Sequence, residues 1–273
     1  MILPAVVFAL PFDQARRQWA QRQIPHSASG QLVIVTAAAL MEAQAEVFVP
    51  RRLETDRLIM FYDQLATPQL DIEVMDQHVA RLEERVGSPL RAKIHWVRGS
   101  LLGQGNCSFL GLALGSTQSP ADWSSAEGYL DRHELAHAVI TQQRPLTADP
   151  PMVLHEGWAE SQSGRASREL AARAIQEHES QPELCVADLF GPDWYHRDEG
   201  PVYSYGGAMV DFLIRRCGIV KFVELYNGCQ PTTYAADFHA VYGQSLASLE
   251  AAFWNDILPT DSSSSCSLPV SPR

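Results

Sequence analysis

No two cysteines of this sequence form a C-x-x-C pair: Cys107, Cys185, Cys217, Cys229 and Cys266 are scattered. That spacing argues against a cysteine zinc site. It leaves two redox readings open. An exported chain could pair four thiols and keep one, whereas a cytosolic chain would keep all of them reduced. No run of eighteen apolar residues occurs, so the sequence holds no complete membrane span. Positive charge is in deficit: 21 Lys and Arg stand against 32 Asp and Glu, a formal net charge of −11. That balance argues against a general nucleic-acid surface, and it does not identify a substrate. Gly103 and Gly105 form a G-x-G, but no helix signal with Lys-Ser/Thr follows, which excludes a phosphate loop. No internal repeat is visible.

The opening stretch, Met1 to Leu10, is apolar but lacks the positive n-region and cleavage site of a signal peptide. Arg16, Arg17 and Arg22 follow it, the wrong order for a simple secretory signal. A buried strand, a poor signal and the remnant of a longer hydrophobic segment all fit. Localisation divides in the same way. The domain is either exported or membrane-associated through an atypical N-terminus, or cytoplasmic.

What is present is ordinary globular material: 273 residues, 46% hydrophobic and 19% charged. The length allows one large domain or two intimate subdomains. Residues 1–50 have no functional reading, and Pro50-Arg51-Arg52 looks like a boundary. Leu58 to Tyr62 is β-rich and short, hence a strand. Leu70 to Val86 carries Ile72, Met75, Val79, Leu82 and Val86 at helical spacing and stops at Gly87. Lys93 to Arg98 alternates like a strand, with His95 read as an exposed or edge residue. Cys107 to Leu114 reads as one more strand. Ser124 or Ser125 can cap a helix running through Tyr129 to Ile140 and stopping near Pro145. Pro150-Pro151 suits the start of the next helix, which Ser163-Gly164 ends or bends. Ser167 to His178 forms another, with His178 between Glu177 and Glu179 read as surface. Helices follow up to Gly218, over Ile219–Tyr226, over Tyr234–Val241, and over Leu246–Leu258 with Ser245 as its cap. Residues 259–273 are rich in Ser and Pro and read as a disordered tail.

The chemistry is concentrated at His133-Glu134-Leu135-Ala136-His137, an H-E-x-x-H. Residues four apart lie on one helix face, so His133 and His137 can point two imidazoles at one ion. Glu134 lies about a quarter turn away, within reach of a metal-bound water but not placed as a ligand. Catalytic zinc sites usually combine three protein ligands with an open position. The motif supplies two ligands and a base, and a third ligand must come from elsewhere. The alternative is a pair of satisfied histidines on a buried helix.

After residues 138–155 comes Glu156, inside Glu156-Gly157-Trp158-Ala159-Glu160. H-E-x-x-H, eighteen residues, then Glu within E-G-x-A-E resembles the gluzincin metallopeptidases. These include the thermolysin-like and aminopeptidase-N-like enzymes and the smaller peptidase MA-like domains. The resemblance implies that His133, His137 and Glu156 bind Zn2+, that Glu134 is the general base, and that Glu160 orients a ligand histidine from behind. It also makes Val202 to Leu213 similar to the family's Y-x-x-G-A segment. Aligning Gly206 with the family glycine makes Tyr203 the donor to the oxyanion, with Tyr205 as runner-up and His196 a weaker candidate. Packing of an aromatic side chain at a helix entrance is the competing account. The implied fold is α+β and zincin-like: a small mixed β-sheet followed by a mostly helical half, with the H-E-x-x-H helix lining the cleft. An edge strand before that helix would pair with the substrate backbone, although an ordinary core strand fits as well.

The likeness spans about residues 55–258, within a peptidase-like domain at 51–258. The implied reaction is zinc-dependent hydrolysis of a peptide or protein substrate. Aminopeptidase-N-like enzymes carry G-x-M-E-N before the zinc helix, whose Glu binds the free substrate amine. Gly111 to Gly115 has no carboxylate, so an endopeptidase or narrow processing enzyme is favoured over an aminopeptidase. The rivals are a catalytically silent zinc-binding module acting in protein binding, and a structural protein without metal.

Overall fold

The computed structural model describes residues 51–62, 68–99, 106–109, 112–116, 131–144, 150–190, 199–230 and 232–258. They fall into two compact units that divide between Leu146 and Thr147. The expectations for residues 1–50, His196 and residues 259–273 lie outside the described residues.

In the first unit, β1 (Arg51–Glu54) pairs antiparallel with β2 (Leu58–Tyr62), Arg51 opposite Tyr62. β2 lies parallel to β3 (Ile94–Gly99), with Leu58 opposite Ile94. Parallel neighbours need a long crossover, and α1 (Pro68–Val86) lies on it. β3 is also parallel to β5 (Leu112–Ser116), which pairs antiparallel with β4 (Asn106–Phe109). The sheet order is β1-β2-β3-β5-β4: three parallel strands inside and an antiparallel strand on each side. Leu58 and Met60 are fully buried and Ile59 and Tyr62 nearly so. A strand covered on both faces reads as a continuous apolar run, and Leu58-Ile59-Met60 is one. α1 turns Ile72, Met75, Val79 and Leu82 inward, each contributing roughly 1.5–3 kcal/mol of burial. It stops at Gly87, whose φ of 79° is the left-handed conformation that favours glycine.

Three expectations are corrected here. The single strand over Cys107–Leu114 is two antiparallel strands, β4 and β5. Among the described residues β4 is one of the two sheet edges, while β5 is paired on both sides. His95 is not exposed: it is buried on β3, the middle strand. The H-E-x-x-H helix, α2, spans Arg132–Gln143, so its cap is neither Ser124 nor Ser125. Asp131 is the cap, accepting from the Glu134 N–H at 3.2 Å. At the other end Gln142 is fully buried. Its Oε1 accepts from the Arg91 and Ala92 N–H groups at 2.9 and 3.0 Å, tying α2 to the segment that enters β3.

The second unit is helical. α3 (Met152–Gln162) starts behind Pro151 and has Ser163 at its C-cap. α4 (Ser167–Ser180), a short 3-10 helix (Val186–Phe190) and α5 (Glu199–Cys217) follow. α6 (Ile219–Gly228), α7 (Tyr234–Tyr242) and α8 (Leu246–Ile257) complete it. Ser245 caps α8 by accepting from the Ser248 N–H at 3.1 Å. Buried Glu250 of α8 accepts from the Val186 N–H at 2.5 Å and so holds the start of the 3-10 helix. α3 and α5 cross closely. A Cβ on Gly157 would stand 2.5 Å from the Gly206 carbonyl oxygen, and one on Gly206 2.7 Å from that of Val153. Both positions must be glycine for the two backbones to approach this closely. His178 is corrected as well: it is buried, its ring 4.5 Å from that of Trp254.

Candidate metal centre

α2 begins with a cap and then buries nearly every side chain from Glu134 to Gln142. One turn apart on it, His133 and His137 bring their Nε2 atoms to 3.1 Å, with ring centroids 4.7 Å apart and planes at 82°. Two imidazole nitrogens this close either share a proton or direct their lone pairs at one cation. Thr141 Oγ1 donates to the His137 carbonyl at 2.7 Å, adding a side-chain bond to the helical turn that carries the ring. Glu134 is buried beside the pair, with Asp131 holding its backbone N–H.

His78 of α1 lies against the start of α2, its ring hydrogen-bonded to the Arg132 backbone. Burial, aided by the Arg81 and Arg132 charges, pushes its pKa down to about 3. His78 is therefore neutral at neutral pH and brings no positive charge toward α2.

In the second unit, α3 buries both Glu156 and Glu160. Glu160 Oε2 accepts from Arg165 Nη1 at 2.8 Å and from Arg173 Nη1 at 2.5 Å. Arg165 also donates to Ser163 Oγ at 2.9 Å. His155, beside Glu156, has its Nδ1 2.7 Å from the Tyr226 hydroxyl. The Gly157–Gly206 crossing fixes α3 against α5, the helix that carries both tyrosines. Tyr203 is half-buried, whereas Tyr205 is fully buried. The Tyr205 ring meets Trp254 edge-on at 5.3 Å, and its hydroxyl is 3.5 Å from His178 Nδ1.

His133 and His137 thus offer two ligand nitrogens in the first unit, and Glu156 offers a buried carboxylate in the second. Two neutral nitrogens and one carboxylate oxygen are a donor set suited to Zn2+. Sequence reasoning missed four supports of this arrangement. Asp131 had a signal, since D-x-x-E before an apolar run is a helix-start pattern. Gln142, Arg165 with Arg173, and Tyr226 had none, because their partners are distant in sequence or a side chain away in an unmarked direction.

No protein-family model matches the sequence, and a search of curated proteins gives no match. Solved structures do share the fold. A point mutant of the M1 zinc metallopeptidase from Deinococcus radiodurans superposes with a TM-score of 0.53 at 15% identity, over 83% of this chain and 53% of that one. The unmutated protein gives 0.51 at 16% identity, over 78% and 52%. The mutant bound to a Tyr-Ser-Ala substrate gives 0.50 at 15%, over 77% and 51%. The chain spans about half the length of these structures. At such identity the likeness is one of fold. Among the described residues, no helix is long and apolar enough to cross a membrane.

Proposed function

We propose that this protein is a zinc-dependent peptidase of gluzincin type, with residues 51–258 as its catalytic part. The observation that carries the reading is the pair His133 and His137, one turn apart on α2 with their Nε2 atoms 3.1 Å apart and buried Glu134 between them in sequence, with Glu156 as third ligand after eighteen further residues. Its companion is the fold shared with M1 zinc metallopeptidases. Bound Zn2+ would lower the pKa of a water toward 7 and polarise a carbonyl.

The protein's own residues do the rest. Glu134, buried and next to the histidine pair, takes the proton of the attacking water and hands it to the leaving amine. Tyr203 donates its hydroxyl to the developing oxyanion. Glu160 supports the ligands from one turn beyond Glu156. The substrate is a peptide or protein. The absence of a carboxylate in Gly111 to Gly115 favours cleavage within a chain over removal of an N-terminal residue.

A fluorogenic casein assay with and without chelator, beside Glu134→Gln, tests this. The expected outcome is chelator-sensitive activity that falls about 10²- to 10⁴-fold in the variant while zinc is retained. A wild-type protein that holds one zinc but cleaves nothing favours the silent binding module. A protein that takes up no zinc at all overturns the metal site itself.

A further inference from the structure

The first turn of α2 carries His133 and Glu134, and α1 reaches that turn through His78. The His78 ring is buried and hydrogen-bonds the Arg132 backbone. That bond favours the protonated ring, so its acceptor is the Arg132 carbonyl. A neutral imidazole has one N–H to give. Nε2 has no hydrogen-bond partner among the described residues, so Nδ1 carries the proton and makes the bond. Burying a ring with Nε2 unmatched costs stability, and an apolar side chain of that size would fill the space without the cost. What histidine adds at this position is the Nδ1–H.

The far end of the same two segments is tied as well. Ser88 Oγ donates to Gln143 Oε1 at 2.5 Å, and Gln142 Oε1 takes the N–H groups of Arg91 and Ala92. Ser88 comes ten residues after His78, and Gln143 eleven after Arg132, so α1 and α2 run in the same direction and in step. Arg132 directly precedes His133. Its carbonyl and the His133 N–H belong to one planar peptide unit. A bond that fixes this carbonyl therefore fixes the plane from which the His133 side chain springs.

We propose that His78 is a positioning residue for His133: its Nδ1–H fixes the peptide plane between Arg132 and His133 and so aims the His133 ring beside that of His137. The bond lies wholly within the first unit. Its consequence for a cation rests on the zinc-site reading above, whereas the bond itself does not. Without the bond the first turn of α2 loosens and the histidine pair loses its preset geometry.

Substitutions at His78 in the full chain separate the bond from the packing. Asparagine sets an amide N–H where Nδ1 stands, glutamine sets one where Nε2 stands, and leucine fills the space with no donor. Amide hydrogen exchange in the metal-free protein reads Leu135 and Ala136 in the first turn of α2 against Ile140 further along. His78→Leu and His78→Gln are expected to speed exchange at Leu135 and Ala136 by about 5-fold, the worth of one net hydrogen bond, and to leave Ile140 unchanged. Zn2+ affinity, read by competition with a chelating dye, is expected to fall about 10-fold in the same two variants. His78→Asn is expected to restore both, a rescue that space-filling alone would not give. Unchanged exchange in His78→Leu and His78→Gln, or a His78→Asn variant no closer to wild type than His78→Gln, overturns the bond. Faster exchange with undiminished Zn2+ affinity overturns the aiming of His133 and leaves the zinc site standing. Wild type that takes up no Zn2+ overturns the zinc-site reading instead, and the exchange rates still decide the bond. If His78→Leu does not fold, His78→Asn against His78→Gln carries the comparison with the same outcomes.

Discussion

Tyr203 and Tyr205 are two residues apart in sequence, and their surroundings separate them. Tyr205 is enclosed, with its ring on Trp254 and its hydroxyl near His178. Tyr203 is only half-buried and keeps a side that could face a substrate. We therefore expect Tyr203→Phe to lower kcat about 100-fold, the size seen when one oxyanion donor is removed, with KM little changed. Tyr205→Phe should leave kcat within a few-fold of wild type; steady-state kinetics on a single peptide substrate separates the two. The histidines show how far local context misleads. Glu177 and Glu179 flank His178 and suggest a surface position. Yet Leu170, Ala174 and His178 recur every four residues and form the buried stripe of α4. His95 had no such signal, because the burial of a strand residue on both faces depends on which strands flank it.

The helices of the second unit end close to where their punctuation puts them. Pro151, Ser163, Gly218 and Ser245 flank the expected elements, because caps and breakers act on the backbone within one turn. The helical spacing of α1 and the stop at Gly87 were legible for the same reason. The β4–β5 hairpin was not, since its pairing is made between strands and leaves little mark on either. The helix pair α3–α5 depends on two glycines that the motif contains but does not explain. Gly157→Ala or Gly206→Ala would press a methyl group to within about 2.5–2.7 Å of a backbone oxygen. Each should cost about 1–3 kcal/mol, seen in urea melts as a lower midpoint at unchanged slope. Substitution at Gly228, where a Cβ would meet nothing within 4 Å, is the control.

For the molecule as a whole, buried titratable groups set the dependence of stability on pH. His78 titrates at about 3 in the fold against 6.5 when unfolded. Between those values the unfolded chain binds a proton that the fold excludes, so stability falls as pH falls, by at most about 1.4 kcal/mol per pH unit. His178, its pKa lowered chiefly by burial, acts in the same direction. Glu250, its pKa raised chiefly by burial against the pull of the Val186 N–H, acts oppositely as pH rises above 4.5. We expect the unfolding free energy to drop by about 1 kcal/mol between pH 6 and pH 5, and His78→Gln to flatten that slope. Urea melts at the two pH values read it directly.

H-E-x-x-H, the distant E-G-x-A-E and the helical punctuation were readable from residue order, because ligand spacing, capping and turn preferences act over a few neighbours. Strand order, the cover over His95 and His178, the Gly157–Gly206 approach and the two arginines on Glu160 were not. Each joins groups whose separation along the chain carries no signature, and only the packing of the folded backbone brings them into contact. The candidate ligands are thus written in the motif, whereas the two guanidinium groups on Glu160 are set by which side chains the fold places beside it.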